Sequence, residues 1–242
     1  MYAFGSPRRT RTEGRSKEMK IYTGSAAGKK LDDVVDAGMG IMISPSPSFK
    51  PRTDFSKTFC AFDNGAFQAW RRGFPFMEKL FWEALEDCYK AGVTLDFIVI
   101  PDIVAGGKES LDFSLEFREK HLSTCANLAL AVQDGMDPSN VDTYDLIGVS
   151  HIFVGGTEQW KWKTAGDWIK FAKKNGKKTH IGRCGTRDGL KTAKLRGADS
   201  VDSTSFARND ALGIVEAFRS QMVIRGVEEG NPPPCIKNGV IE

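Results

Sequence analysis

The sequence predicts an α/β chain closed into a single (β/α)8, TIM-like barrel, and three observations carry that expectation. Short β-type runs alternate with longer helix-type stretches, which implies a parallel sheet with right-handed crossovers. Eight such runs can be counted, and the 242 residues match the roughly 250 that one barrel of this kind uses. In chain order the strands are expected at Lys20–Thr23, Gly40–Ile43, Thr58–Phe62, Phe97–Pro101, Leu128–Gln133, His151–Val154, Thr179–Gly182 and Ser200–Asp202. Helical periodicity, with apolar residues at i, i+3 and i+4, is clearest in Met77–Ala91, Lys108–Thr124, Gln159–Asn175, Arg187–Arg196 and Asp210–Arg225. Gly176, Thr186 and Gly197 stand where helix stops and starts need them. One βα unit is irregular. The link SPSPSFKPRTDFSK between the second and third strands carries Pro45, Pro47 and Pro51 and cannot form a regular helix. The expected organisation is a basic tail over residues 1–19, the barrel over 20–226, and an irregular tail over 227–242 that contains Pro232, Pro233 and Pro234.

Composition narrows the class. Hydrophobic residues make up 40% and charged residues 27%, the balance of an ordinary globular chain. No apolar run approaches the roughly 18–20 residues of a membrane helix, and the first twenty residues lack the apolar stretch of a secretory signal, so a cytoplasmic protein without a membrane is expected. The net charge of +3 is unevenly placed: Arg8, Arg9, Arg11, Arg15, Lys17 and Lys20 against Glu13 and Glu18 put +4 in the first twenty residues and leave −1 for the rest. That tail reads as a polar leader, with phosphate contact as its alternative. Cys60, Cys88, Cys125, Cys184 and Cys235 contain no CxxC pair, and His121, His151 and His180 form no HExxH. Reduced thiols are expected, with no metal site and no cofactor.

In such barrels the chemistry sits at the C-terminal ends of the strands, where the loops converge. Applied to this chain, the rule delivers Asp63-Asn64-Gly65-Ala66-Phe67-Gln68 after the third strand, Asp102 after the fourth and Gln133-Asp134-Gly135 after the fifth. Gly155-Gly156-Thr157 follows the sixth strand, Gly182-Arg183 the seventh, and Asp202-Ser203-Thr204 closes the eighth. A single polar residue after a strand is commonly a helix cap. Six strand ends in succession, with Asp63, Asp102 and Asp202 set directly at apolar strand ends, point to a site instead. Paired carboxylates there suit a nucleophile with an acid/base partner, and a glutamine beside glycine backbone suits the edge of a planar heterocycle.

These residues carry a resemblance. Asp63 to Gln68 is similar to the DSGGFQ motif of the tRNA-guanine transglycosylases, and Gly197-Ala198-Asp199-Ser200-Val201-Asp202, with Thr204 and Ala207-Arg208, resembles the segment bearing that family's nucleophilic aspartate. Asp102, Gln133 and Gly155-Gly156 fall between them in family order. The resemblance spans about residues 58–208. It implies Asp202 as nucleophile at C1′ and Asp63 as proton shuttle, with Asp102, Gln133, Gly155, Gly156 and Phe67 around the base. The chain lacks the family's CxCxxC…H zinc subdomain and is shorter, which resembles the branch acting on DNA. That branch includes enzymes that insert deazaguanines and anti-phage glycosylases that excise modified bases. DNA is therefore the expected partner, through a flipped or single-stranded nucleotide. Excision of a modified base from phage DNA is the first expectation, base exchange the second, and a metabolic enzyme on a small phosphorylated substrate the third.

Trp160-Lys161-Trp162-Lys163 mixes aromatics with cations as a strand-binding edge would, or else places tryptophans on a buried helix face with lysines in water between them. Arg183, Arg187 and Arg208 stand near the last two strand rims, where they could hold a nucleic-acid backbone or make surface ion pairs.

Overall fold

The computed structural model describes residues 18–24, 26–46, 53–125, 127–207 and 212–225. Eight parallel strands close into a barrel in sequence order: β1 (Lys20–Gly24), β2 (Gly40–Ile43), β3 (Cys60–Phe62), β4 (Leu95–Val99), β5 (Leu128–Val132), β6 (Val149–Val154), β7 (Lys178–Ile181) and β8 (Ser200–Ser203). Closure is made where Lys20 to Thr23 of β1 pair in register with Ser200 to Ser203 of β8. Strands β2, β3 and β5 read as apolar runs because both faces are covered, by helices outside and by side chains inside, whereas β7 and β8 carry polar residues such as His180, Ser200 and Asp202 on the interior face.

Among the described residues seven α-helices surround the barrel: α1 (Lys29–Asp36), α2 (Ala66–Arg71), α3 (Glu78–Lys90), α4 (Gly107–His121), α5 (Glu158–Lys174), α6 (Arg187–Arg196) and α7 (Leu212–Arg225). The longest, α5, starts where Thr157 accepts the backbone N–H of Trp160, and it buries Lys161, Ala165, Trp168, Ile169 and Ala172 along one face. Helix α6 is capped by Thr186 and ends at Gly197, whose φ of 82° is the left-handed conformation that a side chain would resist.

The proline-rich link between β2 and β3 forms no α-helix among its described residues. A 3-10 turn at Thr53–Lys57 stands there and buries Phe55. The link from β5 to β6 is a second irregular unit. It carries only the 3-10 turn Pro138–Asn140, closed by a reciprocal Asp137 and Asn140 cap, while Met136, Val141 and Leu146 fill the place of a helix against the sheet. The tail segments 1–17 and 226–242 lie outside the described residues. Met19, counted with the basic tail, is buried in the core.

Two packed regions set where the site can be. The larger lies between sheet and helices. The smaller fills the barrel interior with Tyr22, Met42, Ala61, Phe97, Val99, Ala129 and Ala131, with Phe59 and Phe153 against them. Small residues sit beside rings, so the aromatic layer fits within the closed sheet. The phenol of Tyr22 and the ammonium of Lys20 both donate to Asp96 at 2.6 Å, tying β1 to β4 near the strands' N-terminal ends. Above this plug the interior opens at the C-terminal rim.

Cysteines 60, 88, 125 and 184 are free thiols, and Cys235 lies outside the described residues. Among the described residues no helix is long and apolar enough to cross a membrane.

Candidate active site

The rim encloses a cavity of about 570 Å3 lined by residues at the C-terminal ends of β2 to β8. Asp63, Phe67, Asp102, Gln133, Gly155, Gly156, Arg183 and Asp202, all singled out in the sequence, line it together. Positions up to 139 residues apart in the chain thus converge because each follows a strand of one closed sheet.

Asp202, at the third position of β8, is held from one side. Its Oδ1 accepts from the His180 ring Nε2 at 3.0 Å and from the Arg183 backbone N–H at 3.2 Å. His180 is itself fixed, its Nδ1 lying 2.9 Å from the Ser200 hydroxyl and its ring stacked on Phe153. The second carboxylate oxygen, Oδ2, has no hydrogen bond with any described residue. A carboxylate anchored through one oxygen with the other free has the form of a positioned nucleophile.

Asp63 follows β3 and accepts the Ser44 hydroxyl at 2.8 Å. Removal from water pushes its pKa up to about 6, against the Ser44 hydrogen bond, with the charges of Asp202 and Asp102 adding to the rise. Two carboxyl groups in one cavity therefore differ in environment, Asp63 held by a hydroxyl and Asp202 by a ring and a backbone amide.

Asp102 forms the centre of a buried polar relay. Asn64 donates to its Oδ1 at 2.7 Å and also to the Ile100 carbonyl at 2.9 Å, while the Gln133 amide donates to its Oδ2. The other end of Gln133 accepts the Gly156 N–H at 3.1 Å. Burial pushes the Asp102 carboxyl above its ordinary range, opposed by the Asn64 and Gln133 hydrogen bonds. Carboxylate, amide and glycine backbone are thus linked along one wall, each engaged with its neighbour. Gly156 has a φ of 73°, and a Cβ there would stand 2.6 Å from both the Asp134 carboxylate and the Trp160 ring, so the turn admits only glycine. Asp134 is the cap of this turn rather than part of the wall, accepting from the Thr157 N–H at 2.7 Å and from its hydroxyl at 2.5 Å.

Arg183 has a positive φ of 55°, as does Ala105 in the loop after β4, at 58°. Its guanidinium lies 4.2 Å from the Phe67 ring centroid and donates to the Gly156 carbonyl. That contact bridges the loops after β6 and β7.

The expected strand-binding edge on α5 is corrected by the structure. Lys161 is fully buried, with its ammonium 2.7 Å from Glu158, 3.0 Å from the Gly182 carbonyl and 3.3 Å from the Arg183 carbonyl. Its charge satisfies the backbone that precedes and includes Arg183, so it is committed inward. Trp160 and Trp162 pack against the core, and the Trp162 indole donates to Glu158. Lys163 is exposed on α5 and Arg187 exposed at the start of α6, and neither lines the cavity. Arg208 lies outside the described residues. Replacing Lys161 by Ala is expected to strip the rim carbonyls of their donor and cost about 2–4 kcal/mol of stability, a fall of several degrees in Tm by calorimetry. An unchanged Tm would mean that the ammonium is not needed there.

Ser44, Asn64 and His180 were not assigned roles from the sequence, nor were Arg71 and Arg72, which also line the cavity. For His180 a signal existed. It stands two residues before Gly182, so strand alternation turns it to the same interior face as Asp202 on the neighbouring strand.

No family model and no curated protein matches the chain. Its fold is shared with solved structures, among them one titled "QR15, an Aldolase", which is 15% identical with a TM-score of 0.53, over 87% of this chain and 98% of that one. At that identity the likeness is one of barrel fold. Among the described residues no group of His, Cys, Asp and Glu is arranged to hold a metal ion.

Proposed function

We propose that this barrel is an enzyme that cleaves the N-glycosidic bond of a modified base in DNA, leaving an abasic site, in the manner of anti-phage glycosylases related to the transglycosylases. The observation that carries the reading is the pairing, in one cavity, of Asp202 anchored through a single oxygen with Asp63, whose pKa of about 6 suits proton transfer near neutrality. The cavity of about 570 Å3 is within the roughly 300–1,000 Å3 of small-molecule sites and large enough for one nucleotide.

In the first step the free oxygen of Asp202 attacks C1′ as the C1′–N bond breaks, and the departing base takes the bond's electron pair and a proton from Asp63. The sugar is then held to Asp202 as an ester. In the second step the Asp63 carboxylate takes a proton from water, the water oxygen bonds to C1′, and Asp202 leaves as carboxylate. Asp102, Gln133 and the Gly155–Gly156 turn hold the base edge meanwhile. Withdrawing the nucleotide from a duplex costs a few kcal/mol, which stacking and these hydrogen bonds must offset. A reading in which Gly156 and Arg183 grip a phosphate is less well supported, because Arg183 is engaged with the Gly156 carbonyl and the Phe67 ring.

Purified protein mixed with DNA from unmodified and variously modified phages is expected to release free base, identified by mass spectrometry, and to leave sites that break in hot alkali. No added base should be required. Alkali-resistant strands that take up label only when a deazaguanine is supplied would replace excision by exchange. Neither outcome on any DNA would overturn N-glycosidic chemistry altogether.

A further inference from the structure

We propose that the exposed ridge of Trp70, Arg71, Arg72 and Phe74, at the end of α2 and in the turn before α3, is the surface along which a single DNA strand lies as its target nucleotide enters the cavity; this rests on the DNA reading of the site. The ridge is continuous with the cavity, since Arg71 and Arg72 both line it. It is open as well: Trp70 is 54% and Phe74 58% exposed, two of the largest apolar side chains in water on the described surface.

The local sequence explains why. Helix α2 is six residues long and turns only Ala66 and Ala69 inward, so small residues hold it close to the barrel and its large residues face out. Residues 66–77, AFQAWRRGFPFM, contain two arginines and no acidic residue. Neither guanidinium makes an ion pair or hydrogen bond with a described residue. Unpartnered cations beside exposed rings are what a polynucleotide requires, since phosphates take the charge and unpaired bases take the ring faces.

The ring system is already assembled toward the cavity. Arg183 lies over Phe67 at 4.2 Å, and Phe67 is stacked with Trp70 at 5.9 Å and an interplanar angle of 28°. Cation, ring and ring therefore succeed one another from the cavity wall to the outer surface, where a base neighbouring the target could continue the series on Trp70. A single strand is specified because bases stacked within a duplex offer no free face to Trp70 or Phe74.

Titration of a fluorescent oligothymidylate by anisotropy, with the full chain over a series of salt concentrations, tests this. Trp70→Ala and Phe74→Ala are each expected to weaken binding about tenfold, with Tm unchanged because both side chains are exposed, and Trp70→Phe should recover most of the loss. Arg71→Ala with Arg72→Ala should lower the slope of log K against log salt by roughly 0.7 per guanidinium. Wild-type affinity and slope in these variants would overturn the ridge while leaving the DNA reading intact, as would losses confined to Lys163→Ala and Arg187→Ala. Wild-type protein that binds duplex but no single strand would overturn it too. Failure to bind DNA of either kind would remove the DNA reading and the ridge with it.

Discussion

Asp202→Asn is expected to lower base release in a single turnover by at least about a thousandfold, because the amide cannot form the ester to C1′. The substitution is nearly isosteric. Its carbonyl oxygen can still accept from His180 and from the Arg183 N–H, the two donors now on Oδ1, so folding should persist and DNA affinity should stay within about twofold. Retention of a tenth of wild-type activity would remove Asp202 from the covalent step. The hydrolytic sequence also predicts a DNA–protein adduct on quenching the wild type that the variant lacks, visible as a shifted band after denaturing electrophoresis.

Asp63→Asn should be comparably damaging to turnover, and its pH behaviour separates the two steps. With a pKa near 6, Asp63 is increasingly protonated below that value and ionised above it. Base departure needs the acid, so its single-turnover rate should fall as pH rises through about 6. Hydrolysis of the glycosyl-enzyme needs the carboxylate, so that rate should rise through the same pH. Both limbs should vanish in the variant. Profiles that lack a limb between pH 5 and 7 would exclude Asp63 as the proton carrier. Stability should move the other way from activity. A carboxyl with a folded pKa raised above its unfolded value binds more protons when folded, so the native state loses stability as pH rises from about 4 to 6. Removing the charge should therefore stabilise the protein at pH 7–8, by about 1–2 kcal/mol after allowing for water in the cavity, with little change at pH 4. Equal stability of the two proteins at both pH values would contradict the cost ascribed to this partly buried charge.

The strand pattern was legible to within a residue or two because strands such as β2, β3 and β5, buried on both faces, read as short apolar runs spaced by helical stretches; β2 and α6 have the boundaries expected from sequence. Helices α1 and α2 were not singled out. They are eight and six residues long, too short for periodicity to stand above composition. The β5–β6 link lacks a helix for a reason no periodicity displays: Met136, Val141 and Leu146 cover the sheet from an irregular segment.

At the site, what could be read from sequence were the groups carried by strand ends, because chain direction in a parallel barrel assigns every such residue to one rim. The sequence alone determined the eightfold alternation, the rim positions of Asp63, Asp102, Gln133, Gly155, Gly156 and Asp202, and the glycine turn. Three things were decided only by tertiary structure. Lys161 is directed inward, where it donates to the carbonyls of Gly182 and Arg183, 21 and 22 residues away. Strand alternation assigns His180 and Asp202 to one interior face, but their hydrogen bond depends on the registry of β7 and β8. The environments of Asp63 and Asp202 diverge because one loses water beside a hydroxyl while the other is gripped by a ring and a backbone amide. Side-chain direction within a helix, pairing between strands and the dielectric around a carboxylate all depend on neighbours distant in the chain, and no local pattern of residue types encodes them.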